Sequence, residues 1–544
     1  MDTDSEAASS RAGSETDVET ESEAVSPTGV EYEAGTEIES DTDPIAVITP
    51  QRRGCKWTGG DDARLLSGYR RQISTPRIAA ILGRTPRAVR DRLAKLRQPN
   101  TPAPTSATVN LLPTQRLEIY AFGTGECAEL GLGPEVKARV VRRPRLNVHL
   151  HHEKVGIVAI AAGGMHGLAL SHEGRVYSWG VNDQSALGRG TQYTPLGGDG
   201  DSGSDSDSDS DVPLNALEST PMPITSFPEG TVITNIAAGD SISIAVTNTG
   251  RVYTWGTFRS SEGILGFNED IHVQPVPKLL DTPQDVVQVA AGTNHALALT
   301  KRGEVYTWGN GEHGELGRRI VPRARLTQLN PTRVITEGVT SVAAGSYHSF
   351  AIDRDGKVWS WGLNQYAQCG IDDNDGIRFP TLVGSLTDYR IKQISAGEHH
   401  TAALTDGGQL LVWGRDDDGQ LGLGLVKSSA ADVVSTRSVH KLHVAPGTSF
   451  TSIACGTHHN IAISTEGQAF TWGSDVGYQT GQGPHNQRGE IIDVPTQIEN
   501  KATIGVRLVS AAAGGQFSII AGVPAMRPTD GAVPDNHAIA GSRA

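Results

Sequence analysis

The sequence predicts a mainly β fold: a seven-bladed β-propeller closed by pairing its own two ends, preceded by a small three-helix domain. Two observations predict the propeller. Three short anchors recur in fixed register over most of the chain, and the first and last copies are complementary halves of one repeat. The third observation is a short basic stretch before the repeats with helical patterning.

Taken in chain order, residues 1–50 hold 14 acidic residues and one basic, Arg11, with few large apolar ones. Such a segment cannot bury enough surface to offset chain entropy, so a disordered acidic tail is expected. Residues 51–98 carry 13 Lys/Arg against three Asp. The net charge of −14 is therefore segregated by segment, which points to separate partners or to mutual screening. Three helices are predicted from DDARLLSGYRRQ, STPRIAAILG and TPRAVRDRLAKLRQ, with Ser74 and Thr85 as N-caps and Gly83 between the last two. Ala88, Leu93 and Leu96 would face a small core, while Arg87, Arg90, Arg92, Lys95 and Arg97 crowd the last helix. A Pro/Thr linker follows over 99–115.

The propeller is predicted over 116–522. The first anchor is a small-residue run with Gly: AGGMH, AGDSI, AGTNH, AGSYH, AGEHH, CGTHH and AGGQF. Its closing positions are His166, Ile242, His295, His348, His400, His459 and Phe517. The second is an aromatic-Gly pair, Phe122-Gly123 and then Trp179, Trp255, Trp308, Trp361, Trp413 and Trp472, each followed by Gly. The Trp lies 13 residues after the closing position in all six internal copies, and a further Gly sits six residues before the anchor's Gly. Segments such as HSFAIDRDGKVWSWG thus read as strand, tight turn, strand. The third anchor is a Gly eight residues on, except in the third repeat, where the spacing is ten. The first repeat lacks the AGxxH half and the last lacks the aromatic-Gly half, so the two together make one blade. Radial repetition leaves only short, protected sheet edges. An acidic insertion, disordered by its SDSDSD composition, is expected over 193–213, and a tail over 523–544.

Composition excludes several classes. The four cysteines, Cys55, Cys127, Cys369 and Cys455, form no Cys-x-x-Cys pair, against a zinc or disulfide framework. No apolar run reaches membrane-spanning length and the N-terminus has no secretory pattern, so a soluble intracellular protein is expected. Gly309-x-Gly311-x-x-Gly314 satisfies a dinucleotide fingerprint, but it lies in a repeat anchor with no helix after it. No cofactor and no metal are expected. The recurrent His295, His348 and His459 share one structural position, which favours hydrogen bonds between strands, with metal binding as the alternative.

The AGxxH, turn-Gly, WG and xLG repeat resembles the regulator of chromosome condensation family rather than WD40 or kelch repeats. GTGECAELGLGPE, VVRRPRLN, WGTFRSSEGILGF and WGSDVGYQTGQG are similar to segments of Ran guanine-nucleotide exchange factors, fungal ones above all. The resemblance implies exchange on the nuclear GTPase Ran, with a monomer working at chromatin in the nucleus. The alternative is a non-catalytic propeller scaffold with a DNA-binding or chromatin-binding head.

The broken repeat carries the site prediction. Its two extra residues fall within Phe258, Arg259, Ser260, Ser261, Glu262 and Gly263, and the same repeat has Ile242 in place of His and Asp240 after its Gly. A protruding polar loop is expected, and the resemblance implies that it wedges against the phosphate-binding loop of the GTPase. By the same resemblance Asp240, Asn294, Arg318, His399 and His400 are GTPase contacts, His399 being the better placed of its pair. Asn294 stands where animal members carry Asp. The head resembles a Myb-like helix-turn-helix with Trp57, so Arg87, Arg90, Arg92 and Lys95 are expected to meet DNA or chromatin, unless the head is a protein-docking bundle. Arg319, Arg323 and Arg325 correspond to an arginine-bearing loop used on histones or nucleosomes.

Overall fold

The small residues ahead of each first-anchor Gly form the innermost strand of a blade. Seven such strands converge on one axis, where small side chains such as Ala290, Ala291, Ala343 and Ala344 predominate around the central channel. The computed structural model describes residue 65 and residues 75–82, 85–97, 108–136, 138–192, 213–373, 375–424, 435–485 and 490–524. The chain divides into two units, Met1–Pro104 and Thr105–Ala544.

In the second unit seven four-stranded antiparallel sheets form the blades, numbered in chain order, with blade 3 over 233–279, blade 4 over 286–335 and blade 6 over 391–441. Blade 5 is representative: Val339–Ala344, His348–Asp353, Val358–Gly362 and Ile377–Leu382 run in order from the axis outward. The second strand is buried from His348 to Ile352, because neighbouring blades cover both its faces. Blade 1 is the predicted composite. Glu118–Thr124 pairs with Val140–Leu146 on one side and with Phe517–Pro524 on the other, and Val506–Ala513 completes the sheet. The final strand reaches Pro524, two residues beyond the predicted boundary.

The anchors explain how the blades are joined. Histidines close most joints: His295 Nε2 lies 2.8 Å from Ser349 Oγ, His348 Nε2 is 2.9 Å from Thr401 Oγ1, and His459 Nε2 is 2.8 Å from Ser518 Oγ. Each imidazole thus bridges one blade to the next. The Trp of the second anchor donates to a carbonyl in the loop of the preceding blade, as Trp361 does to Glu315 O at 2.7 Å. The third-anchor Gly sits beneath that Trp. A Cβ on Gly317 (φ +63°) would lie 3.0 Å from the Trp361 indole, so a side chain there is blocked sterically and by backbone conformation. At the channel mouth, backbone N–H groups of Gly164, Asp240, Thr293, Ser346, Glu398, Thr457 and Gly515 each donate to the adjacent blade, and the last returns to Gly164 O. The ring is closed by hydrogen bonds as well as by topology.

Residues 108–115 correct the predicted linker. Val109 and Asn110 N–H both donate to Asn248 O, and the Asn110 amide reaches Thr247 O and Val286 O. This stretch is docked on the propeller and belongs to that unit. The acidic tail, residues 193–212 and the stretch beyond 524 lie outside the described residues.

In the first unit two predicted helices are present, α1 (Thr75–Ile81) and α2 (Pro86–Arg97). Thr85 caps α2, its Oγ1 accepting from Ala88 N–H at 3.2 Å. Leu65, helical and buried, is the described part of the first predicted helix, and it clusters with Ile78, Ala79, Leu82 and Val89. Val89 takes the core place expected of Ala88, which is half-exposed, because α2 presents that neighbouring position to α1.

Candidate functional site

Antiparallel strands alternate direction, so the turns after the first strands and the loops after the third strands emerge on one face. That face carries Asp240, Asn294, His399 and all the extra residues of blade 3. Those residues form an additional two-stranded hairpin, Phe258–Ser260 paired with Gly263–Gly266, outside the four-stranded sheet of the blade. A loop was expected. The hairpin forms because its ends are apolar: Phe258, Leu265 and Phe267 are buried with Trp308 and Leu329. Gly263 (φ +112°) supplies the left-handed backbone that closes the tip.

The joint beneath the hairpin lacks the histidine bridge, as does the joint of blades 1 and 2, where Phe517 faces Gly167. Unlike that joint, where Trp179 still donates to Glu129 O, it also lacks the indole hydrogen bond. Ile242 replaces the histidine, and the position that would receive its bond in blade 4 is Ala296. Trp308 Nε1 is buried with no protein acceptor among the described residues. The residue whose carbonyl would serve it by register is Ile264, which the hairpin has carried away to an exposed position. Gly266 accordingly has no indole above it. The apolar pair, the unpaired indole and the two extra residues form one coherent local rearrangement.

The tip is polar and outward. Arg259, Ser261 and Glu262 are exposed and Ser260 is half-exposed. Blade 4 holds it: Asn294 Oδ1 accepts from Arg259 N–H at 2.9 Å, and Glu312 accepts from Ser261 N–H and Oγ–H, both at 3.0 Å. Asp240 lies beside the hairpin toward the axis. Burial raises the pKa of its carboxyl, while the nearby Arg259 charge pulls it back down. Gly164 leaves room for that carboxylate, since a Cβ there would stand 2.2 Å from Asp240 Oδ1.

Three predicted contacts are corrected. Phe258 is 1% exposed and anchors the hairpin from below, so its side chain cannot meet a partner. His400 is 2% exposed and bonded at 3.0 Å to Asn460 Oδ1, so it is a blade joint. Arg325 turns toward the hairpin, where its guanidinium pairs with the Glu262 carboxylate and reaches Ser260 Oγ, rather than presenting itself to a histone surface. Arg319 and Arg323 remain exposed. Arg318 is half-buried and donates to Gln328 O at 3.2 Å. On α2, Arg87 and Arg90 are exposed and Arg92 is half-exposed; the side chain of Lys95 lies outside the described residues.

Across the face from the hairpin, the predicted contact His399 sits in an aromatic group whose other members, Tyr347 and Tyr366, were not predicted. His399 stacks on Tyr347 (5.9 Å between ring centroids) and leans on Tyr366 (5.0 Å), over which the Arg415 guanidinium sits at 5.3 Å. Burial, reinforced by Arg415, lowers the pKa of His399 to about 4, so it is neutral at physiological pH. Packed, partly exposed aromatic side chains of this kind are frequent anchors of protein interfaces. Their signal was available in sequence: Tyr347 and His399 share one position of the first anchor.

Comparison with known proteins agrees with this architecture. Residues 118–520 match the RCC1-like domain. Protein pim1 of Schizosaccharomyces pombe is 44% identical over 76% of this chain and 76% of its own length. Guanine nucleotide exchange factor SRM1 of Saccharomyces cerevisiae is 41% identical over 76% of this chain and 88% of its own. The crystal structure of Prp20p from Saccharomyces cerevisiae, studied with its binding to Gsp1p and histones, superposes with a TM-score of 0.68 at 37% identity, covering 77% of this chain and 94% of that one. The chain is a member of the RCC1-like domain family, and its propeller is the domain that defines that family.

Proposed function

We propose that this protein is a guanine-nucleotide exchange factor for the Ran GTPase, acting in the nucleus on chromatin. The observation that carries the reading is the blade-3 hairpin: an ordered polar tip, raised from an apolar root on a rigid ring, in a relative of a named exchange factor. Exchange needs no covalent chemistry. A nucleotide held at picomolar affinity is bound by about 16 kcal/mol, and a protein that binds a conformation with a disturbed phosphate site offsets part of it. Arg259, Ser260, Ser261, Glu262 and Gly263 would press on that site. Asp240, Arg318 and His399, with the tyrosines around it, would hold the GTPase body across the face. Asn294 serves by fixing the hairpin backbone, a task for which its amide oxygen suffices without charge.

Chromatin attachment is assigned to Arg319 and Arg323 on the propeller and to Arg87, Arg90, Arg92 and Lys95 on α2. The exposed propeller arginines and the histone binding of Prp20p support this assignment. Release of fluorescent GDP from purified Ran tests the central reading. Sub-stoichiometric protein should accelerate release many-fold over the spontaneous rate. Correctly folded protein that leaves the rate unchanged over a broad concentration range would refute it and favour a scaffold.

A further inference from the structure

The hairpin belongs to blade 3 by sequence, yet its polar tethers come from blade 4. Its own pairing is short: Phe258 with Gly266, Arg259 with Ile264 and Ser260 with Gly263, interrupted by an irregularity. An isolated two-stranded ribbon of this size is marginal in water. Burial of Phe258 and Leu265 fixes the root but does nothing for the exposed tip. The regular blade joint cannot help either, because Ile242 and Ala296 make no hydrogen bond there.

We infer that Glu312 and Arg325, both in the outer loop of blade 4, are positioning residues that hold the hairpin tip in its working geometry. Glu312 is the stronger of the two. Its carboxylate accepts twice from Ser261 and once from Asn310 Nδ2 at 3.1 Å, while Asn310 Oδ1 accepts from Glu312 N–H at 3.2 Å. The carboxylate is thus fixed from its own loop before it meets the hairpin. Bonds to an ionised acceptor are the stronger kind. Arg325 adds the Glu262 ion pair and a contact to Ser260 Oγ at 3.4 Å. Both members of that ion pair are substantially exposed, Arg325 at 40% and Glu262 at 70%, so this pair is the weaker tether. The loop that carries them spans 310–331 and also bears Arg319 and Arg323, so the surface assigned to chromatin and the element assigned to exchange are joined by direct contacts.

This inference rests on the proposed exchange function for its kinetic reading, but its structural part can be read without it. Glu312→Ala should lower kcat for Ran–GDP exchange by roughly tenfold, the worth of one charge-assisted bond, while the affinity for nucleotide-free Ran stays within about twofold. Glu312→Gln, which keeps an acceptor oxygen, should recover most of the rate, and Arg325→Ala should cost less than Glu312→Ala. In parallel, amide hydrogen exchange of a peptide covering residues 258–266 should be faster in Glu312→Ala than in wild type, with the rest of the propeller unchanged. Wild-type kcat in Glu312→Ala, or a loss confined to KM, would overturn the kinetic role. Unchanged amide protection of the hairpin would overturn the positioning itself, whether or not the wild-type protein acts on Ran. Inactive wild type with altered protection in the variant would reject the exchange reading alone.

Discussion

Two joints in the ring show opposite solutions to the same packing problem. Between blades 5 and 6, His348 bridges to Thr401, Thr401 Oγ1 donates to Gln368 O at 2.9 Å, and Trp413 Nε1 donates to the same carbonyl at 2.9 Å. Between blades 3 and 4, the corresponding residues are Ile242, Ala296 and Trp308, and none of that network exists. The first joint ties the loop of one blade firmly to the strands of the next. The second gives up that tie, keeps the contact apolar, and leaves the loop able to stand away as a hairpin. Rigidity around most of the ring allows one irregular element to be aimed.

The comparison is broken most severely by acid. His166, His295, His348, His400 and His459 are buried, and burial lowers each pKa, to about 4 for His166 and about 3 for His295, His400 and His459. The unfolded chain takes up these protons near pH 6.5, the folded chain much lower. The stability they confer is therefore complete above pH 6.5 and is lost as pH falls toward 4, by about 2 kcal/mol per histidine at pH 5. Denaturant titrations at pH 7 and pH 5 should show that fall, and a flat profile would contradict the bonded, neutral joints.

A smaller effect of opposite sign sits at Glu315. Burial pushes its carboxyl up to about 8, so its penalty grows as pH rises from 4.5 toward 8. Gln368, Gln420 and Gln479 occupy the same register and accept the same kind of backbone bond that Glu315 takes from His313 N–H. Glu315→Gln should therefore stabilise the protein by about 2–3 kcal/mol at pH 7 and by little at pH 4.5. Equal stability of variant and wild type at both pH values would show that the site is better solvated than its 2% exposure implies.

The smallest effect isolates the missing bond. Trp361→Phe and Trp308→Phe remove similar volumes, but only Trp361 has its indole hydrogen-bonded. The first substitution should cost about 1 kcal/mol more than the second in denaturant unfolding. Equal costs would mean that Trp308 is satisfied after all.

Much of this was legible before the structure. Fixed spacing gave the seven blades, the half-repeats gave closure, and a ten-residue interval located the irregular element. The departure from loop to hairpin was not, because it depends on Phe258 and Leu265 finding a shared pocket against Trp308, which spacing alone does not encode. The corrections at His400 and Arg325 have similar causes. Of the histidine pair, the anchor register already favoured His399 as the outward ring; the contact of His400 Nε2 with Asn460 Oδ1 adds that the other ring is closed to a partner. An arginine in a basic loop reads as a surface charge until Glu262 is found opposite it. Ala296 was visible all along: it stands one residue after the first anchor, where Ser243, Ser349, Thr401, Asn460 and Ser518 offer polar side chains and Gly167 alone shares its lack of one. Only knowledge of the joint gives that position meaning.

The central claim is that the hairpin, rather than the ring, disturbs the bound nucleotide. The most direct measurement compares GDP release from Ran by wild type and by a variant with Ala at Arg259, Ser260, Ser261 and Glu262, alongside the unfolding stability of both. The account predicts a loss in rate on the order of 100-fold, about 2.7 kcal/mol in the barrier, with stability close to wild type because the buried root is untouched. A variant that is equally folded and exchanges nucleotide at the wild-type rate would contradict it.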